Sequence, residues 1–133
     1  MAAYAYLDAS AIVKLVVVEA HTAEVERAAA NRSALLSSRL SATEVLRAAR
    51  RQPHRRVLQQ VEDVLESFVL LDVTAAILKR AAALNPTELR TLDAIHLATA
   101  LSLGLAELDF VTYDARLATA ARLHGLRVTG PDI

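Results

Sequence analysis

Short apolar runs without polar alternation recur along the chain, separated by longer stretches of helical periodicity. The runs are Ala3–Leu7, Ala34–Ser37, Phe68–Leu71, Phe110–Thr112 and the shorter Arg127–Val128. A strand with one face in water alternates apolar and polar residues, whereas a strand covered on both faces does not. Helical patterns fill the intervals at Ala11–Val18, Thr22–Ala30, Ala42–Arg51, Arg55–Glu66, Ala75–Leu84, Leu92–Leu103 and Ala115–Leu123. Pro53 separates two of these helices, Asn85-Pro86 stops another, and Gly104 and Gly125 end two more. The alternation predicts a three-layer α/β/α sandwich around a small, mainly parallel central sheet. Right-handed crossovers then bring the C-terminal ends of all strands to one edge, where such sheets place their ligand sites.

A chain of 133 residues fits one domain spanning 1–133, which can bury roughly two-thirds of the surface its unfolded form exposes. Hydrophobic residues make up 54% of it, which excludes disorder, and the few aromatics leave Leu, Val, Ile and Ala to build the core. The formal net charge is zero, so any contact with nucleic acid has to use a local patch. Without cysteine there is no disulfide framework and no thiolate metal site. The run Ala11–Val18 is too short to span a bilayer and contains Lys14, so a soluble, cytoplasmic protein is expected.

Four carboxylates fall where the ligand edge is expected: Asp8 after the first strand, Glu44 in LSATEVLRA, Asp93 in LRTLDAIHLATA and Asp114 in FVTYDARLA. Glu44 and Asp93 are each placed in the first turn of a helix. Each acid also has a local explanation. Ser41 and Glu44 match a capping box, and Asp114 suits an N-cap. Asp93 follows a potential Thr91 cap and would favour the positive helix end, while Asp8 could shape a turn ahead of a Ser10 cap. Asp72 fits the same local description as Asp8 and reads as turn chemistry. Clustered carboxylates in a partly buried cleft repel one another unless a cation offsets them. Oxygen-only ligation suits hard ions such as Mg²⁺ or Mn²⁺, which pair with phosphate. The residues by themselves therefore allow an acidic phosphoryl-transfer site.

The blocks LDASAIVKL, SATEVLRA, LDAIHLATA and FVTYDARLATAARLHGL together resemble a PIN domain, and in particular the VapC toxins of bacterial type II toxin–antitoxin pairs. The resemblance covers nearly the whole chain. It implies a Mg²⁺- or Mn²⁺-dependent endoribonuclease that cleaves structured cellular RNA, tRNA or rRNA, and so inhibits translation. It implies an acidic quartet of Asp8, Glu44, Asp93 and Asp114 as catalytic and metal-binding residues, with Ser10 and Thr112 in support. Some relatives carry a further acid just after the fourth, and here that position is Arg116. A cognate VapB-type antitoxin and a homodimer are implied as partners. The alternative is a catalytically silent PIN-like module that binds RNA or protein. A phosphatase with Asp8 as nucleophile is a further alternative, although that chemistry wants an acid where this chain has Ser10.

Arg47, Arg50, Arg51, His54, Arg55 and Arg56 form the densest basic run. They read either as a phosphate-contacting rim or as an ordinary solvated helix face. His96, one turn after Asp93, reads as a structural histidine, as do His21, His54 and His124. Motifs for zinc peptidases, serine hydrolases, P-loops and dinucleotide binding are absent.

Overall fold

The computed structural model describes residues 2–52 and 54–130. The strands among the described residues are β1 (Tyr4–Leu7), β2 (Ala34–Ser38), β3 (Phe68–Leu71), β4 (Leu108–Val111) and β5 (Arg127–Thr129). They form one sheet in the order β3-β2-β1-β4-β5, and every neighbouring pair is parallel. The helices among the described residues are α1 (Ala9–Val16), α2 (Thr22–Ala29), α3 (Arg39–Ala49), α4 (Arg55–Glu66), α5 (Ala75–Ala83), α6 (Thr91–Ser102) and α7 (Ala115–Leu123). The expected α/β/α sandwich is what forms. Pro53, expected to separate α3 from α4, lies outside the described residues.

The lack of alternation in the strands has its reason in the two faces of the sheet. Ala5 and Leu7 of β1 pack with Ala11, Ile12, Val25, Val45, Val61 and Leu65, so α1 to α4 cover one face. Tyr6 and Phe110 point the other way and pack with Leu97, Leu117, Ala120 and Ala121 of α6 and α7. Their rings stack at 5.3 Å between centroids, a pairing that adds about 0.5–1.5 kcal/mol to their burial. On the outside of this layer α5 packs against α6 through Ala81, Ala94, Ile95 and Ala98.

Several boundaries differ from the sequence expectation, two of them because of a side-chain cap. Asp8 itself caps α1, so the helix starts at Ala9 and Ser10 lies inside it. Ser38 caps α3 through Leu40 N, so that helix starts at Arg39 and Glu44 falls in its second turn, not its first. Arg90 occupies the cap position of α6 without a side-chain cap bond, and Thr91 is already helical. Strand β4 ends at Val111, leaving Thr112 just beyond it. Gly104 and Gly125 follow α6 and α7 with positive φ, the C-terminal signal expected of them.

The strand order reverses at β1, so the crevice at the switch point opens beyond the C-terminal ends of β1 and β4. The end of β5 closes one side of it. A Cβ on Gly130 would sit 2.1 Å from the Thr112 carbonyl oxygen, so this close approach admits only glycine. At the opposite edge Arg32, its side chain 2% exposed, donates to Ala2 O, Ala28 O and Asp109 Oδ2. That arrangement ties the chain start and α2 to β4, far from the crevice.

Candidate acidic active site

Asp8 lies at the bottom of the crevice, 4% exposed, because β1 carries it there and α1 begins on it. Its Oδ1 accepts from Ala11 N at 3.1 Å and from Ser10 Oγ at 2.6 Å. Its Oδ2 accepts from Thr112 Oγ1 at 2.6 Å. The same two hydroxyls accept backbone N–H groups from the turn after β4. Tyr113 N donates to Ser10 Oγ at 2.9 Å, and Asp114 N donates to Thr112 Oγ1 at 3.1 Å. Ser10 and Thr112 thus clamp Asp8 and tie it to the turn that bears Asp114. Burial pushes the Asp8 carboxyl above its ordinary range, offset in part by the His96 imidazole and by these hydrogen bonds.

Asp114 caps α7 by accepting from Leu117 N at 3.0 Å on Oδ1, as its sequence context allowed. Its Oδ2 accepts from Arg90 Nη2 at 2.7 Å, while Arg90 Nε donates to Asp93 Oδ2 at 3.1 Å. One guanidinium therefore bridges two of the four acids. Asp93 is partly buried in the first turn of α6. Its carboxyl is pushed up by burial and by the charge of Asp114, with Arg90 pulling in the opposite direction.

Glu44 does not form the capping box its spacing suggested. Ser41 is buried with its Oγ 2.7 Å from Ser37 Oγ, and Glu44 Oε1 lies 2.7 Å from His96 Nε2. His96, expected to be half-buried, is fully buried, with its Nδ1 2.8 Å from the Tyr6 hydroxyl. Asp72 is exposed and pairs with Arg39 beyond the end of β3, outside the acidic group.

The structure thus brings Asp8, Ser10, Thr112 and Asp114 into one hydrogen-bonded unit and links Asp93 to it through Arg90. Glu44, on α3, bonds instead to His96, which lies three residues after Asp93 on α6. The basic run is not brought to this group. Arg50, Arg51, Arg55 and Arg56 are exposed at the α3–α4 junction, where Ala49, Gln52 and Val57 line a small cavity with Val16 and Val17. That is the end of α1 away from Asp8, about 12 Å along the helix axis. Arg47, one turn from Glu44, is the nearest of the run. Arg90 was not singled out by the sequence, although its place three residues before Asp93, on the next helical turn, was an available signal.

Whether this group suits a divalent cation is decided by its donors. They are carboxylate and hydroxyl oxygens, the set that hard ions take. An ionised carboxylate has about four acceptor sites, so the hydrogen bonds to Asp8 leave capacity on Oδ2. Burial raises the carboxyls of Asp8 and Asp93, and the charge of Asp114 raises Asp93 further, a cost that a cation would relieve. Arg90 now supplies part of that relief. Among the described residues no three acid or imidazole side chains stand close enough together to hold an ion, and Arg90 pairs with two of the four acids, Asp93 and Asp114. In the chemistry of their donors the residues fit a hard divalent ion.

The PIN domain family model matches residues 5–123 of the chain. Ribonuclease VapC46 of Mycobacterium tuberculosis is 42% identical over 132 residues, covering 95% of this chain and 96% of its own length. Among solved structures, the fold is similar to that of M. tuberculosis VapC20, described as a Sarcin-Ricin loop cleaving toxin, at a TM-score of 0.72 and 16% identity, covering 87% and 94% of the two chains. It is also similar to a chain of the DNA-bound VapBC complex of Salmonella typhimurium, at a TM-score of 0.69 and 20% identity, covering 98% of each chain.

Proposed function

The chain belongs to the PIN domain family, and on that premise we propose that it is a VapC-type toxin, an endoribonuclease dependent on Mg²⁺ or Mn²⁺. What supports this reading is the clamped Asp8 at the switch point of the sheet, with Asp114 on the turn tied to it, Asp93 linked to Asp114 through Arg90, and Glu44 bonded to His96 on the helix that carries Asp93. Asp8, Glu44, Asp93 and Asp114 are the residues that would hold the metal. When bound, such an ion makes a coordinated water more acidic and offsets charge on the phosphodiester.

The chain's own residues do the rest. Ser10 and Thr112 keep Asp8 ionisable and aimed into the crevice by donating to both of its oxygens. Asp114 is held at a helix start, where its position is set to within one turn by the cap bond to Leu117 N. Arg90 balances the charge of Asp93 and Asp114, and would be free to meet substrate phosphate if these acids held a cation. The exposed arginines 50, 51, 55 and 56 contact RNA phosphates distant from the scissile bond, with Arg47 closer to it.

The partners follow from the same premise: structured cellular RNA as substrate, a VapB-type antitoxin like that of the Salmonella complex, and a second copy of the chain in a homodimer. The site of action is the cytoplasm. No helix among the described residues is long and apolar enough to cross a membrane. The test is cleavage of total bacterial RNA with and without Mg²⁺ or Mn²⁺, comparing wild type with Asp8→Asn and Asp93→Asn. Metal-dependent cutting by the wild type alone is expected. Equal cutting by both folded variants would overturn the assignment.

A further inference from the structure

The core beneath the crevice contains a polar chain that packing does not require. Tyr6 is fully buried and His96 is 2% exposed, among Leu36, Leu97, Ala100 and Phe110. An apolar pair of similar size would fill this space without polar groups to satisfy. Instead, the Tyr6 hydroxyl meets His96 Nδ1 at 2.8 Å, and His96 Nε2 meets Glu44 Oε1 at 2.7 Å. The direction of the Glu44 bond follows from the acceptor at the end. An ionised carboxylate only accepts, so Nε2 carries the hydrogen; Nδ1 then pairs with the Tyr6 hydroxyl, which can donate to it or accept from it. The Tyr6 ring is in turn held by Phe110, stacked at 5.3 Å.

The chain of contacts also spans the elements that carry the acids. Tyr6 lies two residues before Asp8 on β1, His96 three residues after Asp93 on α6, and Glu44 on α3. Glu44 is the one acid of the four with neither a helix-cap bond nor an arginine partner, and its side chain is 30% exposed. We infer that Tyr6 and His96 form a positioning relay that anchors Oε1 of Glu44 and leaves Oε2 as a single free oxygen facing the crevice for a divalent cation or a water bound to it. The inference rests on the reading of Glu44 as one of the metal-holding acids. Anchoring of a ligand by a neighbour of this kind is worth roughly 10- to 100-fold in metal affinity.

Two substitutions of similar size separate positioning from filling. In His96→Gln the side-chain amide reaches the place of Nε2 and still donates to Glu44. In His96→Asn it reaches only the place of Nδ1, so Tyr6 keeps a partner and Glu44 loses one. Mn²⁺ affinity of the purified chain is measured by calorimetry for both, for Glu44→Gln, and for the His96→Asn/Glu44→Gln double variant, with thermal unfolding as the control for folding. His96→Asn is expected to weaken Mn²⁺ binding about tenfold or more. His96→Gln should stay within about threefold of wild type, and the double variant should be no weaker than Glu44→Gln. If His96→Asn and His96→Gln bind Mn²⁺ equally, or if the two losses add in the double variant, the relay is refuted while the metal site stands. If Glu44→Gln leaves the affinity unchanged, Glu44 is not a metal-holding acid and the relay falls with it; loss of affinity in Asp8→Asn would still uphold the remaining site. Should His96→Asn fail to fold, Tyr6→Phe removes only the hydroxyl that orients the ring, and a severalfold loss of Mn²⁺ affinity is expected there, with no loss counting against the relay.

Discussion

Asp8 is expected to cost the protein stability, and Asp8→Asn tests that cost. The carboxylate is 4% exposed and its carboxyl is raised by burial. Taking an ion out of water costs several kcal/mol, which the three hydrogen bonds from Ser10, Ala11 and Thr112 repay in part. Asparagine keeps an oxygen for Ser10 and Ala11 and turns an N–H₂ toward Thr112 Oγ1, which has lone pairs to accept it. The rearranged hydroxyl costs about 1 kcal/mol, and removing the buried charge returns more than that. A net gain of roughly 1–2 kcal/mol is expected, seen as a rise of about 3–8 °C in Tm at neutral pH, while RNA cleavage is lost. The sign of the pH dependence follows from the raised carboxyl. Below the ordinary value of 3.8 both states are protonated and the group is neutral to stability. As the pH climbs from there through the raised folded value, the unfolded chain ionises first and stability falls. Wild type should therefore lose stability over that window and Asp8→Asn should lose less. Thermal unfolding across the range, with and without Mn²⁺, is the assay. A variant that is less stable than wild type at neutral pH, with an unchanged pH profile, would refute the argument that burial of this charge is costly.

Three further outcomes follow from other regions of the structure. Arg90→Gln removes the cation between Asp93 and Asp114 and should raise Mn²⁺ affinity severalfold in calorimetry, with little change in stability because the guanidinium is mostly exposed; weaker binding would count against competition between Arg90 and metal for these acids. Asp109→Ala strips the buried Arg32 guanidinium of its carboxylate and should cost roughly 3 kcal/mol in urea unfolding, leaving cleavage by the folded fraction intact. Replacing Arg50, Arg51, Arg55 and Arg56 together by Ala should flatten the salt dependence of RNA binding without altering Mn²⁺ affinity, and an unchanged salt slope would place the RNA elsewhere.

The parallel sheet was legible because its cause is local to each strand: runs buried on both faces need no polar alternation, and Ala5, Leu7, Tyr6 and Phe110 have that burial. Parallel pairing with right-handed crossovers then puts Asp8, Glu44, Asp93 and Asp114 at one edge, whatever their partners. Which partners they take was not legible, because helix-cap rules see only the nearest residues. The rules assigned Glu44 to the cap of its own helix and Ser10 to the start of α1. In the folded chain Glu44 instead bonds His96, fifty-two residues away, and Ser10 donates to Asp8 while accepting from Tyr113. The same holds for Arg90, whose exposed side chain acquires a role only because β4 delivers Asp114 beside α6. A residue's own segment determines whether it is buried and in which direction it points, and the sequence by itself settles that much here. The charge and hydrogen-bond partners of an acid at a sheet edge come from whichever elements the topology brings alongside, and only the tertiary structure decides them.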